Sequence, residues 1–352
     1  MGRFTVARRS AEDDEALFGI YQTIFGQART EASRRRWRWQ YLDNPNAPTP
    51  PAVWVVREGG EPLGQMGTMP VRLWWGDREV QASWGMDYFV KPESEGRGLG
   101  PLLARAWAAE VDVALAMGLT PPAYAVYKRL GFVDVGEIPF WQAPVDPTAV
   151  ARRRLGAAVG SLVGPALGVG LALVRLARGR RFRRDPELVV RPLRDLGPEL
   201  DGLWRRARGS YGVCVRRDTA YLRWKYLDCP HRDYDLLEVR RGEELAGFAV
   251  SRTEDHQGLK LGWLVDVFTD AADSAAQDAL LGAVMESFRR SGVARAQALC
   301  SSAALARQLC RLGFFSGVSR SLFCVAAKAG IPEAVKDPGG WHVVFGDGDT
   351  DR

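Results

Sequence analysis

The sequence predicts a mixed α/β fold, an α+β arrangement around a mixed sheet, that occurs twice in tandem. Three observations support this prediction. Strand and helix patterns in residues 1–145 follow the order β-α-α-β-β-β-α-β-α-β. Short motifs from this region recur in register in the second half. The length of 352 residues also suits two domains better than one.

The predicted elements of the first half begin with a strand at residues 4–8. Helices follow at residues 10–25 and 34–42, and Asn44-Pro45 ends the second helix because proline disfavours a helical residue before it. Apolar runs at residues 53–56, 63–75 and 81–90, separated by short turns, indicate an antiparallel meander. A helix at 102–111, a strand at 113–117, a helix at 122–130 and a strand containing Phe140 and Trp141 complete the order.

A glycine-rich loop, Glu95-Gly96-Arg97-Gly98-Leu99-Gly100, joins a predicted strand to a predicted helix that Pro101 opens. The first amides of a helix have no intrahelical partners and lie at the positive end of its dipole, so this geometry suits an anion. Glycines allow a phosphate to approach the backbone closely. The loop lacks the Lys-Ser/Thr end of a P-loop, and Pro101 replaces the last glycine of the dinucleotide fingerprint.

Two motifs together resemble those of the GNAT acyltransferase superfamily. Gly98-Leu99-Gly100 fits the end of its pyrophosphate loop, R/Q-x-x-G-x-G/A, although Glu95 stands where Arg or Gln is usual. About 30 residues later, Tyr127 to Phe132 fit the helix end Tyr-x-x-x-Gly-Phe. The resemblance implies two tandem GNAT-like domains, the first carrying an acyl-CoA site.

The implied reaction is direct acyl transfer from an acyl-CoA, with acetyl-CoA expected, to an amine, without a metal. Backbone amides near Val90 would polarise the thioester carbonyl. Tyr127 matches the family's general acid, with a core tyrosine as the alternative. Asp87 is the candidate general base, although its counterpart Asp266 favours a structural carboxylate. The residues implied in coenzyme binding are Phe89, Val90, Glu95, Gly96, Arg97, Gly98, Leu99, Gly100 and Pro101.

An internal repeat predicts the second domain. Residues 38–45 match 223–230 at six of eight positions, 87–90 resemble 266–269, and 129–132 match 311–314 at all four. The predicted organisation is therefore a GNAT domain at 1–145, a connector at 146–186, a degenerate GNAT-like domain at 187–330 and a tail at 331–352. The repeated Trp-x-Tyr element (Trp39 and Tyr41) is expected to pack the second helix on the sheet, with substrate contact as the weaker alternative.

The second copy lacks the glycine loop. DSAAQDALLG at 273–282 stands in its place, and Asp273 and Asp278 would repel a pyrophosphate at that helix start. Leu309 replaces Tyr127. We therefore expect one acyl-CoA site per chain, in the first domain.

The connector combines an uncharged stretch, residues 155–174, with flanking arginines at 152, 153, 154, 175, 178, 180, 181, 183 and 184. Gly156, Gly160, Gly164 and Gly168 recur every four residues, a pattern that allows close helix packing. Three interpretations fit: a protein-packed hairpin broken at Pro165, a membrane-surface helix pair that contacts anionic lipid through residues 152–184, or a membrane span. The hairpin is expected to bring both arginine clusters to the same side.

Composition narrows the remaining alternatives. The connector carries nine arginines and two aspartates, so its own net charge is +7. Because the whole chain has a net charge of +6, the rest of the chain sums to −1. A basic charge confined to the connector argues against a nucleic-acid partner. Five cysteines without metal-ligand spacing indicate buried thiols in the cytoplasm, peripherally at the inner membrane face if the connector contacts lipid. The acidic tail is expected to be a short strand with a frayed end, without a metal.

The acceptor is expected to be a small-molecule or amino-sugar amine, with protein amines also open. Two other functions fit the same features. One is an acyl-CoA-binding or scaffold module without turnover, and the other is an aminoacyl-type transferase that uses charged tRNA.

Overall fold

The structure, a computed structural model, describes residues 3–177 and 185–348. The connector arginines 178, 180, 181, 183 and 184 and the tail residues 349–352, which enter the predictions above, lie outside the described residues.

The first half has the predicted element order, and its mixed α/β class is confirmed. Its strands and helices are β1 (Phe4–Arg8), α1 (Asp14–Phe25), α2 (Gln27–Tyr41), β2 (Val53–Glu58), β3 (Glu61–Trp75), β4 (Arg78–Val90), α3 (Leu99–Glu110), β5 (Val113–Met117), α4 (Pro121–Arg129) and β6 (Val133–Pro144). Two helices begin earlier than predicted. Helix α2 begins at Gln27 rather than at residue 34, and α3 begins at Leu99 rather than at residue 102. Pro101 is therefore the third residue of α3, where an N–H would have no intrahelical acceptor in any case.

The connector and the second half continue the chain with a similar pattern. Their elements are α5 (Pro147–Leu155), α6 (Ala157–Ala177), β7 (Leu188–Pro192), α7 (Glu199–Ala207), β8 (Val213–Val215), α8 (Thr219–Leu222), β9 (Asp235–Arg241), β10 (Glu244–His256), β11 (Leu259–Thr269), α9 (Ser274–Arg290), β12 (Arg295–Leu299), α10 (Ala303–Arg311), β13 (Phe315–Ala327) and β14 (Trp341–His342). A single π-helical turn, Arg223–Leu227, extends α8.

Both halves belong to one 14-stranded sheet. Its order is β1-β2-β3-β4-β5-β13-β6-β12-β11-β10-β9-β7, with β8 and β14 off this path. The pairing is the same when counted from either end. Three antiparallel pairs come first, one parallel pair follows (β4 with β5, β11 with β12), and the next pair is antiparallel. The sheet is therefore pseudo-symmetric about its central pair, β6 and β13.

The last strand of each half is exchanged. Strand β13 pairs with β5 of the first half, while β6 pairs with β12 of the second half. The strand containing Phe140 and Trp141, which comes last in the predicted order of the first half, thus pairs with strands of the second half. Alternation of apolar residues predicts a strand and its buried face, but it does not specify which chain segment supplies the partner.

The repeated Trp-x-Tyr elements meet across the pseudo-symmetry axis. The rings of Trp39 and Trp224 stack with centroids 4.9 Å apart. Each indole Nε1 donates a hydrogen bond of 2.7 Å to the backbone oxygen of the other tryptophan. This repeat therefore joins the two halves to each other, a role that inspection of either copy alone does not reveal.

The connector is a helical hairpin whose break falls at Gly156 rather than at Pro165. Gly156 has φ 84° and separates α5 from α6, which continues through Pro165. Pro165 lies on an exposed side of α6, where water can bond the carbonyl that its missing N–H leaves free. Added Cβ atoms at Gly160 and Gly164 would lie 2.3 and 2.5 Å from the Cα atoms of Arg152 and Thr148, so the glycine stripe packs directly on α5.

This geometry does not fold the chain back at Pro165. The arginines at 152–154 lie beside the Gly156 turn, whereas residue 175 lies in the last turn of α6, about 25 Å along the helix at 1.5 Å per residue. The expected turn at Pro165 was therefore wrong, and the rest of the second arginine cluster lies outside the described residues. Among the described residues, no helix meets the length and hydropathy required to cross a membrane.

The tail is packed inside the molecule as far as it is described. Strand β14 pairs with β8, and Trp341, Val343, Val344 and Phe345 are buried. The expected short strand is present, whereas the expected frayed end is wrong for residues 346–348, which are buried. Acidic composition suggested exposure, but buried Asp347 is bound by the Arg217 guanidinium at 3.0 Å.

Candidate functional site

A cleft opens where β4 and β5 stop pairing. Their parallel ladder covers residues 82–84 and 113–115, and both strands continue beyond it. The cleft has a volume of about 420 Å³. It is lined by Tyr88, Phe89, Val90, Ser94, Glu95, Gly96, Gly98, Leu99, Gly100, Pro101, Thr120, Pro122, Ala123 and Val126. The structure therefore brings the predicted loop, the end of β4 and the start of α4 to one site.

The start of α3 forms a backbone cradle at one wall of this cleft. Gly96 and Gly98 have φ values of 76° and 79°, in the left-handed region that favours glycine. Gly98 is the N-cap of α3, and the structure shows no side-chain cap for this helix. Because the first-turn amides have no intrahelical acceptors, they and the positive end of the helix dipole can receive an anion.

The Tyr88 hydroxyl lies so close to the backbone at position 100 that only glycine fits there. A Cβ atom at this position would lie 2.3 Å from the Tyr88 hydroxyl oxygen. Tyr88 itself lines the cleft, and burial raises its pKa to about 12, so its hydroxyl stays protonated at neutral pH. Sequence analysis missed this residue, because an aromatic side chain in a strand more often indicates core packing than a site.

The side chains of the loop face different neighbours. Arg97 donates to Glu58 at 2.7 Å and lies over the Phe4 ring, with its guanidinium 4.9 Å from the ring centroid. Its side chain is thus directed to the outer strands, and Arg97 is the one predicted loop residue that is not in the lining of the cleft. Glu95 is exposed at the rim of the cleft.

The amide of Val90 points into the gap between the strands. Lys91 N donates to Leu63 O of the β3 side at 2.7 Å. Since successive amides of a strand alternate in direction, the Val90 N–H is directed away from β3, toward the side where β5 has diverged. A carbonyl oxygen placed in the gap can accept a hydrogen bond from it.

Tyr127 lies beneath the cleft rather than in its lining. Its side chain is 2% exposed and packs against the rings of Trp107, Phe132 and Tyr88. Its hydroxyl lies 4.0 Å from Met66 Sδ, and burial raises its pKa well above the usual value. This environment favours the core alternative over the general-acid alternative.

Asp87 is held in a buried hydrogen-bond network. Its carboxylate accepts from the Tyr41 hydroxyl at 2.6 Å and from Gln40 Nε2 at 2.9 Å, and it lies 3.6 Å from Arg36. The second half repeats the arrangement, because the Tyr226 hydroxyl donates to Asp266 at 2.9 Å. A contact that recurs in the half without a glycine loop favours the structural alternative for Asp87.

The corresponding gap of the second half is already occupied. Strands β11 and β12 also stop pairing, after Leu264 and Ala298. The tail enters beyond that point: Val344 bridges to Cys300, and Gly346 N donates to Val265 O at 2.8 Å. At the start of α9, the Asp273 carboxylate accepts from Ala276 N at 3.0 Å, so this helix carries its own anion.

Buried ion pairs hold the tail in the gap between β11 and β12. Arg217, with a fully buried side chain, bonds both oxygens of Asp266 at 3.1 Å and Asp347 at 3.0 Å. Burial acts to lower the pKa of Arg217, but the carboxylates of Asp266 and Asp347 raise it well above its usual value. Sequence analysis missed this group because its three members are far apart in the chain.

The described residues contain no group of three or more His, Cys, Asp or Glu side chains that could hold a metal ion.

Comparison with known proteins assigns the first half to a family. Residues 15–132 match the sequence model of the acetyltransferase (GNAT) family, so this segment is a GNAT domain. A search of curated protein sequences found no match.

Solved structures share the fold at low sequence identity. A GCN5-related N-acetyltransferase from Anabaena variabilis has a TM-score of 0.63 and 16% identity, over 92% of this chain and 73% of that one. N-myristoyltransferase of Saccharomyces cerevisiae, solved with bound myristoyl-CoA, has a TM-score of 0.57 and 14% identity, over 92% and 83%. A GCN5-related N-acetyltransferase from Kribbella flavida gives 0.57 and 14%, over 92% and 71%. Because 92% of the chain is covered in each case, the likeness extends over both halves.

Proposed function

We propose that the protein is an acyl-CoA-dependent N-acyltransferase whose site is the cleft between β4 and β5. The observation that carries the proposal is the combination of an uncapped α3 start, two glycines at positive φ and the Val90 amide at one cleft. The amides of Arg97 to Gly100 would hold the coenzyme pyrophosphate. The Val90 N–H would donate to the thioester oxygen as negative charge develops there.

The transfer is a direct displacement. The neutral amine attacks the thioester carbonyl carbon, a C–N bond forms, the C–S bond breaks and the coenzyme thiolate leaves. The amine loses one proton and the thiolate gains one. The acceptor is a small-molecule or amino-sugar amine. We assign neither proton transfer to Tyr127 or Asp87, whose surroundings favour structural roles.

The end of the gap supports a short acyl group such as acetyl. On one face of the sheet, a Cβ added at Gly348 would lie 3.6 Å from both Trp84 and Met117, which flank the point where β4 and β5 diverge, so little space is left there. On the other face, Met66 and Trp107 lie so close to Gly85 that a Cβ there would meet them at 2.7 and 2.9 Å. A chain much longer than acetyl would need to displace these buried side chains.

The test is acyl transfer by the full-length protein, followed by mass spectrometry of the products. Acetyl-, butyryl- and octanoyl-CoA are offered with a panel of amines and amino sugars. We expect acetylated product and a rate that falls with chain length. Met117→Ala should raise the rate with the longer donors, and Val163→Ala, at an exposed position, is the control. Preference for octanoyl-CoA in the unmodified protein would refute the acetyl assignment.

A binding module without turnover is the second candidate. The observation that favours it is the position of Tyr127 and Asp87, both buried in structural contacts outside the cleft lining. Tight binding of acetyl-CoA with no product from any amine, and no coenzyme release above background, would support this candidate over the enzyme.

A further inference from the structure

The exposed apolar surface of the described chain is concentrated on one helix. Twelve large hydrophobic side chains are exposed, and seven of them lie on α6 or immediately before it. These seven form the apolar face and are Leu155, Val159, Leu162, Val163, Leu167, Val169 and Leu173. Surface hydrophobic residues scattered singly need no explanation, whereas a contiguous set marks an interaction site.

The hairpin holds this face outward. The glycine stripe of α6 packs on α5, as described above, and the most exposed apolar residues lie opposite it: Leu162 is 81% exposed, Val169 62% and Leu173 59%. Helix α5 is attached to the sheet, because the amides of Val145 and Asp146 both donate to Ala294 O and Ala151 is buried. The protein therefore covers one side of α6 and leaves the other free.

The ends of the face are positively charged. Arg152, Arg153 and Arg154 are exposed beside the Gly156 turn, and Arg175 lies in the last turn of α6. The sequence places five more arginines after it and no acidic residue between 147 and 184. Asp146, the nearest acid before α5, accepts from the amides of Thr148 and Ala149.

These charges distinguish between candidate occupants. A second copy of the chain would bring arginines against arginines whether its α6 lay parallel or antiparallel, so the charges oppose self-association. A structured protein partner would need polar contacts for specificity, but residues 162–174 carry no side-chain donor or acceptor. The surface of an anionic bilayer, in which hydrocarbon lies beneath negatively charged head groups, fits both the apolar face and the flanking arginines.

We propose that the apolar face docks on the surface of a bilayer that contains anionic lipid, with α6 lying in the plane of the membrane. The apolar side chains enter the boundary between head groups and acyl chains, and the exposed arginines beside the Gly156 turn contact the head groups. This orientation preserves the packing of α6 on α5, which crossing the bilayer would break. The inference is independent of the proposed acyl transfer.

The experiment is co-sedimentation of the full-length protein with vesicles of phosphatidylcholine alone or mixed with phosphatidylglycerol. The test variant, L162E/V169E, places two negative charges on the apolar face. Its control is V189E/F315E, which makes the same charge change at two exposed hydrophobic residues elsewhere. A third variant, R153E/R154E, reverses charge beside the turn.

We expect binding to the mixed vesicles at low salt that falls about tenfold or more in L162E/V169E and in R153E/R154E, but not in the control. High salt should release the protein, because the attraction to head groups is screened. Binding that ignores lipid charge and resists salt would overturn the proposal in favour of insertion. Failure to bind any vesicle would also overturn it, as would a dimer in solution that L162E/V169E dissociates.

Discussion

Substitution of Gly98 by aspartate isolates the electrostatic part of coenzyme binding. Gly98 has φ 79°, and an added Cβ would meet no described atom within 4 Å, so a side chain there extends into open space at the cleft wall. Asparagine is the matched neutral variant. Asparagine and aspartate have the same shape, and both tolerate the left-handed region better than other residues with a side chain. The difference in affinity between them therefore reports the added charge.

The expected size of this difference follows from Coulomb's law. A carboxylate about 5 Å from one pyrophosphate charge, at an effective dielectric constant of about 20, interacts unfavourably by about 3 kcal/mol. This corresponds to roughly a hundredfold increase in Kd for Gly98→Asp relative to Gly98→Asn. Salt should shrink the difference, because part of the interaction passes through solvent.

The assay is titration calorimetry with coenzyme A and acetyl-CoA, with S-acetylpantetheine as the ligand that lacks the pyrophosphate. Ser274→Asp adds the same charge at the start of the corresponding helix α9, and we expect it to leave affinity unchanged. Equal affinities for Gly98→Asp and Gly98→Asn would refute the proposed pyrophosphate cradle. A loss of affinity in Ser274→Asp, or two sites per chain, would refute the restriction of binding to the first half.

Three further predictions test individual side chains. Tyr127→Phe should leave coenzyme affinity and kcat unchanged. It should lower the free energy of unfolding by less than about 1 kcal/mol, because the hydroxyl makes only a distant contact with the Met66 sulfur. A large fall in kcat would restore the general-acid assignment. Asp87→Asn should destabilise the protein by about 3 to 5 kcal/mol in denaturant unfolding, because it leaves the buried Arg36 guanidinium without its carboxylate. Unchanged stability with a loss of kcat would instead support a role for Asp87 as general base. At pH 8, a thiol reagent should modify the partly exposed Cys229 and Cys310 first. Burial raises the pKa of Cys324 to about 11, so at pH 8 only about 0.1% of this thiol is thiolate, and its modification should accelerate as pH rises. Fast modification of all five thiols in the folded protein would contradict the buried positions of Cys214, Cys300 and Cys324.

The candidate site was predictable where it depends on local backbone geometry. Gly98 and Gly100 could be located because a strand, a glycine turn and a helix start are adjacent in the chain, and the structure places all three at the cleft. The side-chain roles were harder to predict. Tyr127 sits on the helix the motif indicated, but only the packing of Met66, Trp107 and Phe132 around it shows that its hydroxyl is enclosed.

The connector shows a different reason for error. Both Pro165 and Gly156 can end a helix, and the sequence favours proline because it removes a hydrogen bond. In the folded chain, the exposed position of Pro165 makes that loss tolerable. The close approach of Gly160 and Gly164 to α5 instead determines where the hairpin must turn.

The sequence by itself determined the order of helices and strands in the first half, the recurrence of short motifs in the second half and the absence of a glycine loop from residues 273–282, since each depends on residues that are near one another in the chain. The tertiary structure alone decided the exchange of β6 and β13, the stacking of Trp39 on Trp224 and the insertion of the tail between β11 and β12. Residue 344 meets residue 300, and residue 39 meets residue 224, through contacts that no periodicity records. The alternation of residues in a strand determines which of its faces is buried. It does not determine which strand pairs with its edge, because every edge presents the same backbone donors and acceptors, so that pairing depends on the tertiary structure.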